Sequence, residues 1–563
     1  MNAKGAGAAP GDELVFLPLG GSNEIGMNFN LYGYGPAHDR KWIVVDLGIT
    51  FGDETTPGVD VILPDPAFIE DYAKDILGIV VTHAHEDHIG AVAWLWQRLP
   101  APLYATPFTA FLLREKLREA DLLDQAKITE VPLNGTIELG PFALTLVTLT
   151  HSIPEPNGLV VRTPLGTVFH TGDWKLDPDP LTGAATDEAA IRQLGDDGLL
   201  AMVCDSTNVF VEGEAGSEAS VRETLTGLIA TLKGKVAAAC FASNVARMDT
   251  IIRAAQGCGR QVCLVGRSMI RMAAAARSVG LLADIAPFVD DATAASLPSE
   301  RVLYLCTGSQ GEPRAALSRV ADGTHPHVKL GAGDACVFSS RIIPGNEVPI
   351  RNLQNKLADR GVRLYTERDH PGIHVSGHPC RDELRRMYQW ARPRIAIPTH
   401  GERRHLLEHA ALAREMQVPE ALAPRNGDLV RLAPGKPIVI DEVPAGRLYV
   451  DAGVVTPENG QALRERRHAA YNGMLTVSVA LDRRGGLAAG PTVRALGLPD
   501  DGGLADDLEG LEAEAERAVL RLSDVERDDP NAVEAALART LKKAAFRIWK
   551  RRPVVEATVL EVR

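Results

Sequence analysis

Four potential metal ligands occur close together in the segment VTHAHEDHIGA. They are His83, His85, Asp87 and His88, and they directly follow a short apolar run. Alternate residues of an extended segment point the same way, so His83 and His85 can bind one cation. Asp87 and His88, at the turn into a helix-like stretch, face a different direction and can bind a second. This mixture of imidazole and carboxylate groups favours a borderline divalent metal, above all zinc.

Three further candidate ligands each end an apolar run that is typical of a buried strand. His151 ends ALTLVTLTH, Asp173 ends TVFHTGD and His400 ends RIAIPTH. Because α/β folds place their chemistry at the carboxyl ends of strands, these side chains can join the first cluster. Taken singly, each fits a structural histidine or a turn aspartate better than a ligand. Together with the first cluster they provide five histidines and two aspartates, enough for two metal sites.

The surrounding pattern predicts an α/β fold into which a second α/β unit is inserted. Short apolar runs rich in β-branched residues alternate with turns in the first part, whereas strand-like and helix-like stretches alternate in the second. After the second part, RIAIPTHGERRHLLEHAALAREM returns to a strand–turn–helix pattern. Residues 416–445, rich in Pro, Ala and Gly, are interpreted as a connector. The predicted boundaries are a flexible tail at 1–12, a core at 13–207 and 369–440, an insert at 208–368, and a linker with a C-terminal domain at 441–563.

The composition constrains the class of protein. A chain of 563 residues with 45% hydrophobic residues can form several globular domains. No apolar stretch reaches the ~18 residues of a membrane span, and the seven cysteines form no close Cys-x-x-Cys pair, so we expect a cytoplasmic protein without membrane contact. The net charge of −13 means that a nucleic-acid partner would need local positive charge. Candidates near the turn motifs are Arg247, Arg267, Arg314 and Arg341.

The ligand pattern resembles the metallo-β-lactamase superfamily. HAHEDH matches its His-x-His-x-Asp-His motif, His151 its next ligand and Asp173 its bridging carboxylate. Asp46 in VVDLGITF matches an aspartate that supports the metal shell. The resemblance implies one zinc bound by His83, His85 and His151, a second bound by Asp87, His88 and His400, and Asp173 between them.

The inserted unit narrows the resemblance to the β-CASP nucleases. Asp205 in CDSTN, His378 in HVSGH and His400 in PTHGE resemble the three motifs that these nucleases add. Longer strings, such as LGGSNEIGMN and CTGSQGEPRAALSR, are similar to the ribonuclease J family. The implied fold is a metallo-β-lactamase αββα sandwich with an inserted β-CASP α/β domain and a small C-terminal α+β domain. Ala246 departs from the pattern, since relatives commonly have a histidine there, and this puts one RNA contact in question.

The resemblance implies a zinc-dependent ribonuclease, a 5′-to-3′ exonuclease with endonuclease activity in RNA maturation and decay. Two zinc ions, for which Mn²⁺ or Mg²⁺ could substitute, would activate a water and neutralise charge on the phosphoryl oxygens. Asp87, Asp173 and His378 are the implied catalytic residues, with His378 protonating the departing 3′ oxygen or holding a phosphate oxygen. The implied substrate contacts are Ser243, Asn244, Val245, His374, Val375, Ser376, Gly377 and His378.

The implied partner is single-stranded RNA, with a preference for a 5′-monophosphate end, and the implied assembly is a homodimer or homotetramer. From sequence alone, Ser243 and Asn244 fit an N-cap of the following helix equally well. The HVSGH segment could also be a structural turn.

Two other functions stay open. A hydrolase of small esters or thioesters shares the superfamily core but lacks the insert and HVSGH, and activity on RNA but not thioesters would exclude it. A non-catalytic RNA-binding scaffold would have lost metal ligands, whereas all seven are present here. A DNA-specific nuclease is disfavoured by His400 in the third motif.

Overall fold

The computed structural model describes residues 8–343, 345–500 and 502–562. The described residues fall into two compact units, one within Met1–Thr50 and Leu63–Gly446, the other within Phe51–Ile62 and Arg447–Arg563. Residues 1–7 of the predicted tail lie outside the described residues; next to them, Asp12 accepts hydrogen bonds from the Ala9 N–H and the Tyr34 hydroxyl, each at 2.9 Å.

Two sheets form the core of the first unit. In spatial order, the strands of the eight-stranded sheet are Ile438–Glu442, Asp428–Ala433, Glu13–Gly20, Phe29–Gly35, Lys41–Val45, Ile76–Val80, Leu103–Ala105 and Ile128–Glu130. The strands of the seven-stranded sheet are Thr136–Leu139, Phe142–Thr148, Asn157–Thr163, Gly166–His170, Ala201–Asp205, Ile395–Thr399 and Glu420–Ala421.

The two sheets pack face to face, as the predicted sandwich requires. Phe16 and Tyr32 of the first sheet and Leu144 and Val203 of the second belong to one buried apolar cluster. Helices cover the outer face of the second sheet, and Pro107–Glu119 packs against the first. The helices on the second sheet are Glu188–Asp196, Arg381–Ala391 and Arg403–Glu415. The other helices of this unit's core are Ala67–Glu70, Glu86–Ile89 and Val92–Leu95, with a 3-10 turn at Ala73–Asp75.

The interpretation of residues 416–445 as a connector is wrong. Asp428–Ala433 pairs antiparallel with Glu13–Gly20, and Ile438–Glu442 pairs with Asp428–Ala433 at the sheet edge. The glycines and prolines that suggested a connector lie around these strands. Within DLVRLA, four of the six residues are buried, so the segment is part of the core.

The insert is a five-stranded parallel sheet covered by helices, as the strand–helix alternation predicts. Its strands, in spatial order, are Gln261–Val265, Val302–Cys306, Val236–Ala239, Ala335–Phe338 and Arg363–Tyr365. Its helices are Glu218–Thr231, Val245–Gly257, Arg267–Ser278, Asp291–Ser296, Ala316–Ala321 and Glu347–Asp359, with a 3-10 turn at Ser299–Arg301. It lies between Ala201–Asp205 and Ile395–Thr399, which pair directly in parallel, so the chain leaves the core sheet and returns beside its point of departure.

The second unit contains a three-stranded sheet of Leu487–Leu496, Met474–Leu481 and Val554–Glu561. Alternate residues Leu475, Val477 and Val479 are buried, and helices Leu504–Leu520 and Pro530–Trp549 pack on that face, as expected for a small α+β domain. The remaining elements are helices Gln461–Asn472 and Asp524–Arg527 and strands Arg447–Asp451 and Val454–Pro457. Residues 51–62, which we call the excursion, begin in the strand Thr50–Phe51 and end in the strand Val61–Pro64. Among the described residues, no helix combines the length and apolarity needed to span a membrane.

Candidate metal centre

The ligand-bearing loop follows the strand Ile76–Val80 and is fixed through its backbone. Leu47 N–H donates to the His88 carbonyl at 2.7 Å, and Asn28 N–H donates to the Asp87 carbonyl at 2.8 Å. At Gly48 a Cβ atom would lie 1.7 Å from the Asp87 carbonyl oxygen, so only glycine allows this close approach. The loop is therefore held rigidly between neighbouring segments of the core.

The structure brings all seven predicted ligands together in two overlapping groups. His83, His85 and His151 converge with Asp173, and ligand atoms within the group lie within 4.8 Å of one another. The second group, within the same limit, consists of Asp87, His88, Asp173 and His400. Asp173 belongs to both groups, which is the arrangement a bridging carboxylate needs.

The donor atoms fit divalent cations. His85 Nδ1 lies 3.1 Å from both His83 Nε2 and His151 Nε2. Nitrogen ligands at ~2.0–2.1 Å from a tetrahedral zinc would be separated by about 3.3 Å, close to this spacing. Asp173 Oδ1 is buried and has no hydrogen-bond partner among the described residues, although a buried carboxylate oxygen normally has one. A bound cation would satisfy it.

The electrostatics of the buried centre favour positive charge. Burial opposes protonation of His88, but Asp173 and Asp87 raise the pKa of this imidazole well above its usual value. Burial alone would raise the pKa of Asp173, yet His400 and His88 keep it well below the usual range. The carboxylates thus draw cations into the site. Burial and the neighbouring imidazoles lower the pKa of His83 and His151, which favours the neutral form of imidazole that binds a metal ion.

Each imidazole of the two groups has a partner on its other ring nitrogen, an arrangement that is typical of metal sites. Asp46 Oδ2 contacts His88 Nδ1 at 2.7 Å and also accepts from the Thr82 hydroxyl, which is the supporting position expected for Asp46. The other pairs are His83 with Thr82 Oγ1 (3.0 Å), His151 with the Gly377 carbonyl (2.5 Å), His400 with Thr207 Oγ1 (2.8 Å) and His85 with Ser243 Oγ (3.0 Å).

The HVSGH segment lies beside this centre. His378 Nδ1 contacts Asp205 Oδ2 at 2.8 Å, and the His378 ring lies 5.1 Å from that of His151. Burial opposes protonation of His378, but Asp205 raises the pKa of the imidazole. Ser376 Oγ accepts from the His378 N–H at 3.1 Å. A Cβ atom at Gly377 would lie 2.6 Å from Ser152 Oγ and 3.0 Å from His151 Cε1, so a larger residue here would crowd the candidate ligand His151.

The remaining predicted substrate contacts have different surroundings. Asn244 Oδ1 accepts from the Arg247 N–H at 2.9 Å and so caps the helix Val245–Gly257, the alternative that the sequence left open. Val245 is fully buried, and Val375 and His374 are partly exposed. Ser243 contacts the candidate ligand His85 directly, at 3.0 Å.

The expectation that Arg247 offers positive charge to RNA is wrong, because its side chain is fully buried against Glu218. Arg267, Arg314 and Arg341 are exposed. Sequence reasoning also missed Asn208, whose amide donates to Ser376 Oγ at 2.8 Å and to the His378 carbonyl at 3.1 Å. Its position directly after Asp205-Ser206-Thr207 was the available signal.

Comparisons with known families agree with this architecture. Residues 32–193 match the metallo-beta-lactamase superfamily, and residues 370–424 match the Zn-dependent metallo-hydrolase RNA specificity domain. Residues 233–357 match the ribonuclease J beta-CASP domain, and residues 461–562 match the ribonuclease J C-terminal domain. A crystal structure of a protein of unknown function from Enterococcus faecalis V583 covers 74% of this chain and 100% of its own, with a TM-score of 0.51 and 17% identity, which shows similarity of fold alone.

Several curated proteins are similar over nearly the whole chain. Ribonuclease J from Sinorhizobium meliloti is 43% identical over 558 residues, and the match covers 98% of both chains. Ribonuclease J from Mycolicibacterium smegmatis is 39% identical over 561 residues, and ribonuclease J 1 from Streptococcus pyogenes serotype M3 is 32% identical over 556 residues, again with 98% of both chains covered. This chain therefore belongs to the ribonuclease J family.

Proposed function

We propose that this chain hydrolyses RNA with two zinc ions, as a 5′-to-3′ exonuclease that also cleaves internally, in RNA maturation and decay. Membership of the ribonuclease J family makes the chain a metal-dependent ribonuclease. The observation that carries the proposal of two ions is the pair of ligand groups that share Asp173. A single-ion site would not need seven converging ligands.

The residues fall into two sets of ligands. His83, His85 and His151 would hold one zinc ion, and Asp87, His88 and His400 would hold the other, with Asp173 common to both. Mn²⁺ or Mg²⁺ could substitute. When bound, such a pair of ions activates water and neutralises the charge that builds on the phosphoryl oxygens. The protein keeps the ligands in place through the partners on the outer nitrogen of each imidazole.

His378 is the proposed proton donor to the departing 3′ oxygen. Asp205 is buried and holds His378 Nδ1, so Nε2 is the nitrogen left to face the substrate. A positioned acid of this kind typically contributes about 10²–10⁴-fold to the rate. The same nitrogen could instead hold a phosphate oxygen, as a donor in the protonated form of the ring.

We propose that the exonuclease binds the 5′ end of single-stranded RNA at a fixed distance from the metal centre. Ser376, at the edge of the metal centre, offers a hydroxyl donor, and the backbone around Gly377 closely approaches His151 and Ser152. A pocket of small donors suits a monophosphate better than the larger and more highly charged triphosphate. We therefore propose a preference for 5′-monophosphate RNA.

We also infer a cytoplasmic location, supported by seven free cysteines, of which six are buried. Assembly as a homodimer or homotetramer stays a prediction from the family resemblance.

The test of the metal centre compares two neighbouring acids. Asp87→Asn removes a proposed ligand, so it should lower the bound zinc below two ions per chain and reduce RNA cleavage by at least about 100-fold. Glu86→Gln is the matched control, because Glu86 is partly exposed and pairs with Lys116 instead of the centre. Metal content by mass spectrometry and cleavage of labelled RNA, with a thioester as a second substrate, are the measurements. Full activity and unchanged zinc in Asp87→Asn would refute the assignment, and thioesterase activity without RNA cleavage would refute the function.

A further inference from the structure

A fully buried ion pair lies behind the proposed phosphate-binding segments. Arg247, in the first turn of the helix Val245–Gly257, donates to Glu218 through Nε at 3.0 Å and through Nη2 at 2.9 Å. Arg247 is fully buried and Glu218 is 3% exposed. Buried charges are costly to desolvate, so a pair in this position needs hydrogen bonds to satisfy the rest of the guanidinium. Those hydrogen bonds reach two segments of the proposed substrate pocket, the Ser243–Asn244 turn and the HVSGH segment.

On one side, the pair holds the Ser243–Asn244 turn. Asn244 Nδ2 donates to Glu218 Oε1 at 3.1 Å, while Asn244 Oδ1 accepts from the Arg247 backbone N–H. The side-chain nitrogen of Asn244 is therefore bonded to the ion pair, and its oxygen to the backbone of Arg247. Ser243 of this turn contacts His85. Arg247 therefore helps to fix a segment that borders the metal centre.

On the other side, the pair holds the HVSGH segment. Arg247 Nη1 donates to the Ser339 carbonyl at 2.9 Å and the Ser339 hydroxyl at 2.8 Å, and lies 3.3 Å from both the Ile373 carbonyl and His374 Nδ1. Ser339 in turn donates to the Ile373 carbonyl at 2.7 Å. Two chain segments that are about 130 residues apart in sequence thus meet at one guanidinium.

The contact with His374 fixes the chemical form of that imidazole. A guanidinium has only donors, so the Nδ1 atom that faces it must carry a lone pair. Burial, with the charges of Arg247, Arg341 and Lys175, keeps the pKa of His374 well below its usual value, so the ring is neutral. Its one proton is then on Nε2. That nitrogen has no hydrogen-bond partner among the described residues, and the side chain is partly exposed, so the N–H is available to a ligand.

We propose that Arg247 and Glu218 are positioning residues that hold His374 as the neutral Nε2–H tautomer, which donates a hydrogen bond to a phosphate oxygen of the RNA. The inference rests on the proposed function, since it assigns the phosphate to the pocket beside the metal centre. It differs from the expectation that Arg247 itself contacts RNA, because the buried guanidinium acts only through His374.

A pair of amide substitutions tests which nitrogen of His374 is the donor. His374→Gln places its amide nitrogen near the position of Nε2, whereas His374→Asn places its amide near Nδ1. We expect His374→Gln to keep KM for RNA within about threefold of the wild type and His374→Asn to raise it by about tenfold or more, as loss of a hydrogen bond to a charged group does. Bound zinc should be unchanged in both. A His374→Asn protein that binds RNA as well as His374→Gln would overturn the proposal.

A double-mutant cycle then tests whether the ion pair acts through His374. Arg247→Gln with Glu218→Gln removes both charges together, which avoids an unpaired buried ion. In the wild-type background this change should raise KM about tenfold, with a smaller effect on kcat. In the His374→Gln background, where no tautomer has to be set, the increase should shrink to about twofold. Equal increases in both backgrounds would show a merely structural role.

Arg253→Gln is the matched control for the cycle. Arg253 lies on the same helix and pairs at the surface with Asp249 and Asp284, so its loss should leave KM unchanged. If the double variant of Arg247 and Glu218 does not fold, the comparison of His374→Gln with His374→Asn still decides the tautomer. Failure of the wild type to cleave RNA with zinc bound would refute the proposed function instead, so the two failures are distinguishable.

Discussion

Ser376 shows how the arrangement of a single residue can reserve one donor for a ligand. Its hydroxyl oxygen accepts from the Asn208 amide at 2.8 Å and from the His378 N–H at 3.1 Å. A serine hydroxyl has two acceptor lone pairs and one proton. Since both neighbours can only donate, the lone pairs of Ser376 are occupied, and its own O–H remains free to donate. This is the property that a phosphate-binding hydroxyl needs.

Replacing Ser376 should therefore affect the exonuclease first. Ser376→Leu removes the donor and crowds the pocket without changing a metal ligand, so exonucleolytic decay of 5′-monophosphate RNA should slow by about tenfold or more. Cleavage within a 5′-triphosphate RNA should change by less than about threefold. Ser376→Thr keeps the hydroxyl and should retain most of the exonuclease rate. Rates on end-labelled and internally labelled RNAs separate the two reactions.

Two results would contradict this account of the 5′ end. One is a wild-type enzyme that degrades 5′-monophosphate and 5′-triphosphate RNA equally fast. The other is an equal loss of exonucleolytic and internal cleavage in Ser376→Leu, which would place Ser376 at the cleaved bond instead of the 5′ end.

At the level of residues, the sequence predicts which potential ligands converge better than it predicts which charged side chains are exposed. The spacing of His83, His85, Asp87 and His88 predicted that these side chains converge, and they do so in the two groups that share Asp173. Arg247 was misread because its burial depends on Glu218, which is 29 residues away and belongs to another helix. Nothing in the local sequence distinguishes a buried arginine from an exposed one.

The elements that carry the ligands meet because of strand pairing in the core. Asp205 pairs with Thr399 in the register of the neighbouring strands, so His400 emerges beside Asp205 although the insert separates them in sequence. The loop with Asp87 and His88 is held from the opposite side by the segment around Gly48. The centre thus depends on backbone contacts as well as on its ligands.

Gly48→Ala tests this dependence. The added Cβ would lie 1.7 Å from the Asp87 carbonyl oxygen and 2.6 Å from the backbone nitrogen of His88, so the loop that contains both residues must shift. We expect zinc affinity to fall by about 10–100-fold, as when an outer-shell partner is lost. Competition with a chromogenic chelator measures the affinity, and thermal unfolding measures the stability.

Gly227→Ala is the control for Gly48→Ala. Gly227 is exposed within the helix Glu218–Thr231, and its added Cβ would have no neighbour within 4 Å. This change should stabilise the fold by about 0.5–1 kcal/mol and leave zinc affinity unchanged. Normal zinc affinity in Gly48→Ala would show that the loop tolerates the shift and that the backbone contact is not needed.

Strand prediction was accurate where β-branched residues form continuous runs and poor where they do not. Residues 43–45 are such a run, and all three are buried in the strand Lys41–Val45. Phe29–Gly35 was not predicted, since Asn30 and two glycines interrupt its pattern. It becomes a strand because it pairs with Glu13–Gly20 on one side and Lys41–Val45 on the other. Such pairing cannot be read from one segment.

At the scale of the whole molecule, the sequence revealed the insert but not the composition of the second compact unit. The change from irregular strands to strand–helix alternation marked the insert. The excursion Phe51–Ile62, in contrast, belongs to the same unit as Arg447–Arg563, although it is far away in sequence. Its residues have the turn-rich character of a surface loop, so its membership depends on contacts with distant residues that composition does not encode.

Those contacts predict how the excursion responds to changes in the helix Gln461–Asn472. Arg467 Nε donates to the Thr55 carbonyl at 2.6 Å, and Arg466 Nη1 donates to the Pro57 carbonyl at 3.4 Å. Arg466→Ala with Arg467→Ala should make local opening easier, so a glutamate-specific protease should cleave after Glu54 about tenfold faster. Arg464→Ala, on an exposed position of the same helix, should leave cleavage unchanged. Equally slow cleavage in all three proteins would show that the excursion is ordered without these arginines.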